Sequence, residues 1–170
     1  MWRWAKAPDF PGRILRLFRR GHEEEPNVVS DLRALGCEVH DADPKTGQQF
    51  RISDIGGHLG GSLDGAIANV PGFGPIWMVL EIKTAGAKPF ANLVKEGVEK
   101  NKPEHFAQMQ LYMRGTGMKK AFYLAVCKDN DAIHTEVVDF DQVKADAVMA
   151  KARGIVETTK PPDKISDHPS

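Results

Sequence analysis

Asp64, Glu81 and Lys83 are the residues of this chain whose types and spacing can do chemistry. Asp64 interrupts the apolar stretch "GGSLDGAIANV", and Glu81 and Lys83 close the strongly strand-like run "IWMVLEIKT". Burying a charge is costly unless it is paired or binds a metal. In a strand alternate side chains share a face, so Glu81 and Lys83 point the same way while Ile82 points into the core. An antiparallel return through the turn "NVPGFGP" brings Asp64 alongside Glu81. Two converging carboxylates repel each other unless a cation sits between them, and oxygen ligands of this kind suit Mg²⁺ or Mn²⁺ rather than zinc. A protonated Lys83 is no metal ligand, but it can orient a water nucleophile or neutralise charge building on phosphorus. The set fits metal-assisted phosphodiester hydrolysis. On the residues alone, the alternative is a surface Glu81–Lys83 pair with Asp64 in a turn.

The elements that must position these residues follow from periodicity and punctuation. A helix is expected over about 11–20, with Ile14, Leu15 and Phe18 on one stripe, broken by Gly21. A second helix is expected over about 23–35, with Pro26 in its first turn, Val28, Val29, Leu32 and Leu35 following, and Gly36 as its cap. Short strands are expected around 37–40 and 49–53, and a longer one across 58–68 leads to the strand over 76–84. Helices over about 90–99 and 103–114 come next, then the buried strand "KKAFYLAVCK" and its hairpin partner "AIHTEVVDF". Asp141 caps a last helix reaching about Val156. This order describes a single α+β domain over 1–158, with a central mixed sheet flanked by helices. A polar, mobile tail is expected over 159–170.

Composition narrows the class. The 170 residues are 41% hydrophobic and 27% charged, an ordinary balance for a globular chain. No apolar run approaches the roughly 20 residues that span a bilayer. The start, Met1-Trp2-Arg3-Trp4, leads into no apolar signal-peptide core, so an intracellular, cytoplasmic protein is expected. Cys37 and Cys127 are the only cysteines, too few for an iron–sulfur cluster or a four-thiolate zinc site, and they read as two buried thiols. His22, His40 and His58 lack metal-ligand spacing, which argues against zinc. Net charge is zero, with 23 basic and 23 acidic residues, but the start is basic: Arg3, Lys6, Arg13, Arg16, Arg19 and Arg20 stand against Asp9 alone. A basic end on a neutral body can bind phosphate locally.

The residues also resemble a known family. "SLDG" followed by "LEIKT" is similar to the Asp…Glu-x-Lys signature of the PD-(D/E)xK nuclease superfamily, which has the restriction-endonuclease-like fold. "GHEEEPNVVSDLRALG" and "HFAQMQLYMRGTG" resemble the opening Glu-Pro helix and the Gln-x-x-x-Tyr helix of its RecB-like, YqaJ-type phage recombination exonuclease branch. Leu63 stands where that branch usually carries Pro. The resemblance covers about residues 12 to 127. It implies Asp64 and Glu81 as metal ligands with the Ile82 carbonyl and Glu25 beside them, Lys83 as the catalytic lysine, and Gln108 and Tyr112 as further site residues. The cofactor implied is Mg²⁺, with Mn²⁺ as substitute. The activity implied is DNA hydrolysis, first as an exonuclease on DNA ends, alternatively as a structure-specific or restriction-like endonuclease. A catalytically silent DNA-binding module on the same fold is the rival from another class. Relatives commonly work beside a single-strand annealing protein and some form rings, so such a partner and a homo-oligomer are implied by resemblance only. A phage-encoded protein in a bacterial host fits the same branch.

In that context the polar stripe of His105, Gln108 and Tyr112 at i, i+3 and i+7 gains a use against DNA. Arg13, Arg16, Arg19 and Arg20 gain one as phosphate-gripping forks. Lys88, Lys95, Lys100 and Lys102 can track the backbone in a salt-sensitive, sequence-independent way. Trp2, Trp4 and Phe10 can stack on unpaired bases or pack against the first helix.

Overall fold

The computed structural model describes residues 9–159. Trp2, Trp4 and the expected tail from residue 160 lie outside the described residues. Within them a five-stranded mixed sheet, in the order β1-β4-β5-β6-β7, is sandwiched between helices. The strands are Glu38–His40 (β1), Gly65–Ala68 (β4), Met78–Ala85 (β5), Lys120–Cys127 (β6) and Ile133–Asp139 (β7). Only the β5–β6 pair is parallel. A parallel pair needs a crossover, supplied here by helices Ala87–Glu96 (α2), Val98–Asn101 (α3) and Pro103–Thr116 (α4). Strands Arg51–Asp54 (β2) and Leu59–Ser62 (β3) form a separate two-stranded sheet.

Alternation along β5 divides the core in two. Met78, Leu80 and Ile82 meet Val28, Val29 and Leu32 of the first helix, Gly12–Ala34 (α1). Val79 faces the other layer, with Leu93 of α2, Met109 and Met113 of α4, and Tyr123 and Ala125 of β6. Glu81 and Lys83 therefore stand on the α4 side of the sheet. The last helix, Gln142–Glu157 (α5), is capped by Asp141, whose carboxylate accepts from the Lys144 N–H at 3.1 Å. Cys37 and Cys127 are both buried and free. Among the described residues no helix is long and apolar enough to cross a membrane.

Three expected boundaries are corrected. The first two helices are one: α1 runs unbroken through Gly21 and Pro26. Interior Gly and Pro cost a helix about 1 and 3 kcal/mol respectively, but one continuous stripe from Gly21 and Glu25 to Val29 and Leu32 lies on the sheet and outweighs that cost. The strand expected across 58–68 divides at Leu63–Asp64, its first half pairing with β2 and its second with β1 and β5. The helix expected over 90–99 starts earlier, because the Asp129 carboxylate accepts from the Ala87 N–H at 2.6 Å, and it ends at Gly97, whose φ of 77° only glycine adopts readily.

Candidate active site

Asp64 stands where the chain leaves the small sheet and enters the large one. Leu63, buried ahead of it, donates its N–H to the Phe50 carbonyl at 2.9 Å, a bond that proline at this position would forfeit. The Gln49 amide donates to the Leu63 carbonyl at 3.1 Å. At Gly65 a Cβ would lie 2.8 Å from the His40 carbonyl, so the "DG" pair lets β4 press against β1. Gly65 pairs with Leu80, which brings Asp64 beside the end of β5. There Asp64 Oδ2 accepts the Ile82 N–H at 2.8 Å. The expected antiparallel juxtaposition is present.

Glu81 is fully buried, at 0% exposure, and neither of its carboxylate oxygens accepts a well-formed hydrogen bond. Its neighbour is the Lys83 ammonium, in a close ion pair with Oε1 and 3.6 Å from Asp64 Oδ2. Burial pushes the Glu81 carboxyl up to about 7, opposed by the charge of Lys83. Burial alone would lower Lys83, but Glu81 and Asp64 together raise it, so the ammonium stays protonated. Lys83 keeps 27% of its side chain exposed and also donates to the Ile82 carbonyl at 3.2 Å. It touches both expected ligands and still reaches solvent.

Glu25 comes from the sheet-facing stripe of α1. Its carboxyl is raised by burial and by the Asp64 charge, which places it in the field of the same cluster. Its direct partner is His22 Nδ1 at 3.4 Å. Among the described residues no three His, Cys, Asp or Glu side chains are close enough to hold a metal together. Oxygens of Asp64, Glu81 and the Ile82 carbonyl all lie within 3.6 Å of the Lys83 ammonium, and Glu25 acts on them through its charge. One ammonium stands against the buried Glu81 and the partly exposed Asp64, and Glu81 Oε2 has no partner among the described residues; this donor set fits a hard divalent cation.

The α4 stripe stands over this face, with its hydroxyl and amide already engaged. Tyr112 is buried; its hydroxyl donates to the Ser62 carbonyl at 2.7 Å and accepts from the Gln108 amide at 2.7 Å. A Cβ on Gly61 would come within 2.7 Å of that hydroxyl, so glycine there admits the tyrosine. Gln108 and Tyr112 therefore hold the end of β3, two residues before Asp64. His105 Nδ1 lies 2.9 Å from the Tyr123 hydroxyl. Burial, then the charge of Lys83, pushes its imidazole down to about 4, so it is neutral at pH 7. Tyr123 read as plain core in the sequence; its alignment with Glu81 across the parallel β5–β6 pair is the signal that would have singled it out.

The basic residues fall at different distances. Arg20 donates to the Lys128 carbonyl at 3.0 Å, and Arg19 is in an exposed pair with Glu23. Arg13 and Arg16 are exposed and have no ion-pair partner among the described residues. At 1.5 Å per residue they lie about 18 and 14 Å along the helix from Glu25. Lys88 is exposed in the first turn of α2. Because α1 overhangs the end of β5, Leu17 and Phe18 are left exposed beside a cleft of about 380 Å³ that Glu25, Lys83 and Lys128 also line. Phe10 packs edge-on against Phe18, 5.1 Å between ring centres.

No protein-family model and no curated protein matches this sequence. Solved structures do. LHK-Exo in complex with dAMP superposes with a TM-score of 0.62 at 22% identity, over 81% of this chain and 65% of that one. The alkaline exonuclease LHK-Exo from Laribacter hongkongensis superposes at 0.56 and 22%, over 82% and 70%. SSO0001 does so at 0.51 and 19%, over 89% and 63%. The chain thus spans about two thirds of the length of these structures, and it shares their fold, the restriction-endonuclease-like α+β arrangement.

Proposed function

We propose that this chain is a metal-dependent deoxyribonuclease that hydrolyses phosphodiester bonds at the Asp64–Glu81–Lys83 cluster, most favourably as an exonuclease at DNA ends. The observation that carries the reading is Glu81, a fully buried carboxylate without a well-formed hydrogen bond, beside a second carboxylate and an ammonium. Lys83 compensates Oε1 alone; the buried Oε2 has no partner among the described residues, and buried polar atoms are ordinarily satisfied, a need that a bound cation would meet. The likeness in fold to an alkaline exonuclease supports the same reading.

In this reading Asp64, Glu81 and the Ile82 carbonyl would hold Mg²⁺ or Mn²⁺, and Glu25 of α1 would add negative charge to the same cluster. When bound, the cation polarises the phosphate and lowers the pKa of its water. The residues of the chain do the rest. Asp64 and Glu81 keep Lys83 protonated, so its ammonium offers hydrogen bonds and positive charge to the water or phosphate oxygens at the exposed edge of the cluster. Gln108 and Tyr112 fix the β3 end and, through it, Asp64. Arg13, Arg16, Arg19, Arg20 and Lys88 grip phosphates away from the reacting bond. The nuclease domain takes in residues 1–158, with its basic helix at the start.

The test is purified protein with end-labelled linear duplex and with closed circular plasmid, each in Mg²⁺ or EDTA. Mg²⁺-dependent loss of linear DNA with the circle intact is the expected result. Nicking of the circle would replace the exonuclease by an endonuclease, and no cleavage with either Mg²⁺ or Mn²⁺ would overturn the enzymatic reading.

A further inference from the structure

Glu81 on β5 and Tyr123 on β6 are register partners, and Lys83 is partnered by the small Ala125. All four residues face α4, whose first turn carries His105. The Tyr123 ring is buried, and His105 lies tilted at 33° to it with ring centres 5.8 Å apart. The Tyr123 hydroxyl has one hydrogen-bond partner among the described residues, His105 Nδ1 at 2.9 Å.

That single bond decides where the imidazole keeps its proton. If Nδ1 were protonated it would donate to the phenol oxygen, and the buried phenol O–H would be left without an acceptor. An unsatisfied buried donor is costly, and an oxygen with spare acceptor capacity much less so. Tyr123 therefore donates, Nδ1 accepts, and the ring proton sits on Nε2. Nε2 is 3.9 Å from Glu104 Oε1, too far for a hydrogen bond, and the side chain is 22% exposed. That N–H has no hydrogen-bond partner among the described residues, on a side chain that still reaches solvent.

We infer that Tyr123 is a positioning residue that fixes His105 as its Nε2–H tautomer, and that this neutral N–H donates to a phosphate oxygen of the DNA strand lying on the Glu81–Lys83 face. The inference rests on the nuclease reading of the same site. It assigns His105 contact with substrate through one named atom, and it gives a role to a strand residue that otherwise reads as core. A neutral donor suits this place, because burial first and then the charge of Lys83 disfavour a second positive charge there.

The test is nitrogen-15 NMR of the full chain at neutral pH in EDTA, with and without a short duplex oligonucleotide, beside cleavage rates of variants. The wild-type spectrum is expected to show His105 with a protonated Nε2 and a bare Nδ1, and the Nε2 resonance is expected to move on adding the duplex. Gln can reproduce the Nε2 donor and Asn only the Nδ1 acceptor. Hence His105→Gln should keep most of kcat/KM, while His105→Asn and His105→Ala should each lose about tenfold, one hydrogen bond to an anion. Tyr123→Phe should mix the two tautomers and cost a similar factor, not additive with His105→Ala.

A protonated Nδ1 in the wild type, or His105→Asn cleaving better than His105→Gln, overturns the inference. An active wild type with unaltered rates in His105→Ala overturns it and leaves the nuclease reading standing. A wild type inert on every DNA, whose His105 signals ignore the duplex, overturns both.

Discussion

The main-chain N–H of Ile82 donates to Asp64 Oδ2 at 2.8 Å, which ties the carboxylate between β3 and β4 to the backbone of β5. The bond fixes Asp64 with 13% of its side chain exposed, beside Lys83 and with no partner at its second oxygen among the described residues. Placement of the acid and its charge are thus separable.

Asp64→Asn retains an oxygen that can accept from Ile82, so stability should change by roughly 0.5 kcal/mol or less. Cleavage should fall by about a hundredfold or more, the scale of losing a group that stabilises developing charge. Asp64→Ala strands the buried Ile82 N–H and should cost about 1–3 kcal/mol as well. Thermal melts and cleavage rates on both variants check this; equal destabilisation by the two would return Asp64 to a purely structural role.

Metal binding should be visible without catalysis. A ligand that binds only the folded state stabilises it by about 2.7 kcal/mol at a hundred times its dissociation constant. Saturating Mg²⁺ or Mn²⁺ should raise the melting temperature over that in EDTA, and Glu81→Gln should remove most of the shift. An undiminished shift in the variant would place the cation elsewhere.

His105 gives a signed dependence on pH. Burial and the charge of Lys83 hold its folded pKa at about 4, below the ordinary 6.5. The folded state therefore resists protonation: the stability linked to His105 is fully present above pH 6.5 and is lost as pH falls from 6.5 towards 4. Denaturant unfolding across that window should show a shallower pH slope in His105→Gln than in the wild type. Parallel slopes would mean that His105 titrates alike in both states.

The basic helix makes a prediction about salt. Each phosphate contact adds about 0.9 to the slope of log affinity against log salt on duplex DNA. Replacing Arg13 and Arg16 by Gln should flatten that slope by up to about twice this amount. Arg19, paired with Glu23, should matter less. Filter binding in EDTA over a salt series reads the effect, and an unchanged slope would leave the helix as a solvated surface.

The central cluster was legible because it depends on rules with fixed periods. Alternation put Glu81 and Lys83 on one face, and an antiparallel return put Asp64 beside them. The misread boundaries are places where a distant contact overrides a local signal. Gly21 and Pro26 announce a helix break, but the stripe that α1 lays on the sheet runs through both. The halves of 58–68 are equally strand-like, and only the pairing of β3 with β2 shows that the chain changes sheets at Leu63. Asp129 caps α2 from 42 residues away, and Tyr123 acquires its polar role from a helix 18 residues upstream. No window of sequence contains either pair.

Lys83 carries the account's central claim, because it touches both carboxylates yet ligates nothing. The most direct measurement compares the wild type and Lys83→Ala on end-labelled linear duplex, with Mg²⁺ or EDTA, and follows DNA binding in the same samples. The account predicts cleavage by the wild type in Mg²⁺ only, none by Lys83→Ala, and DNA binding retained by both. Equal cleavage by the two proteins would contradict it.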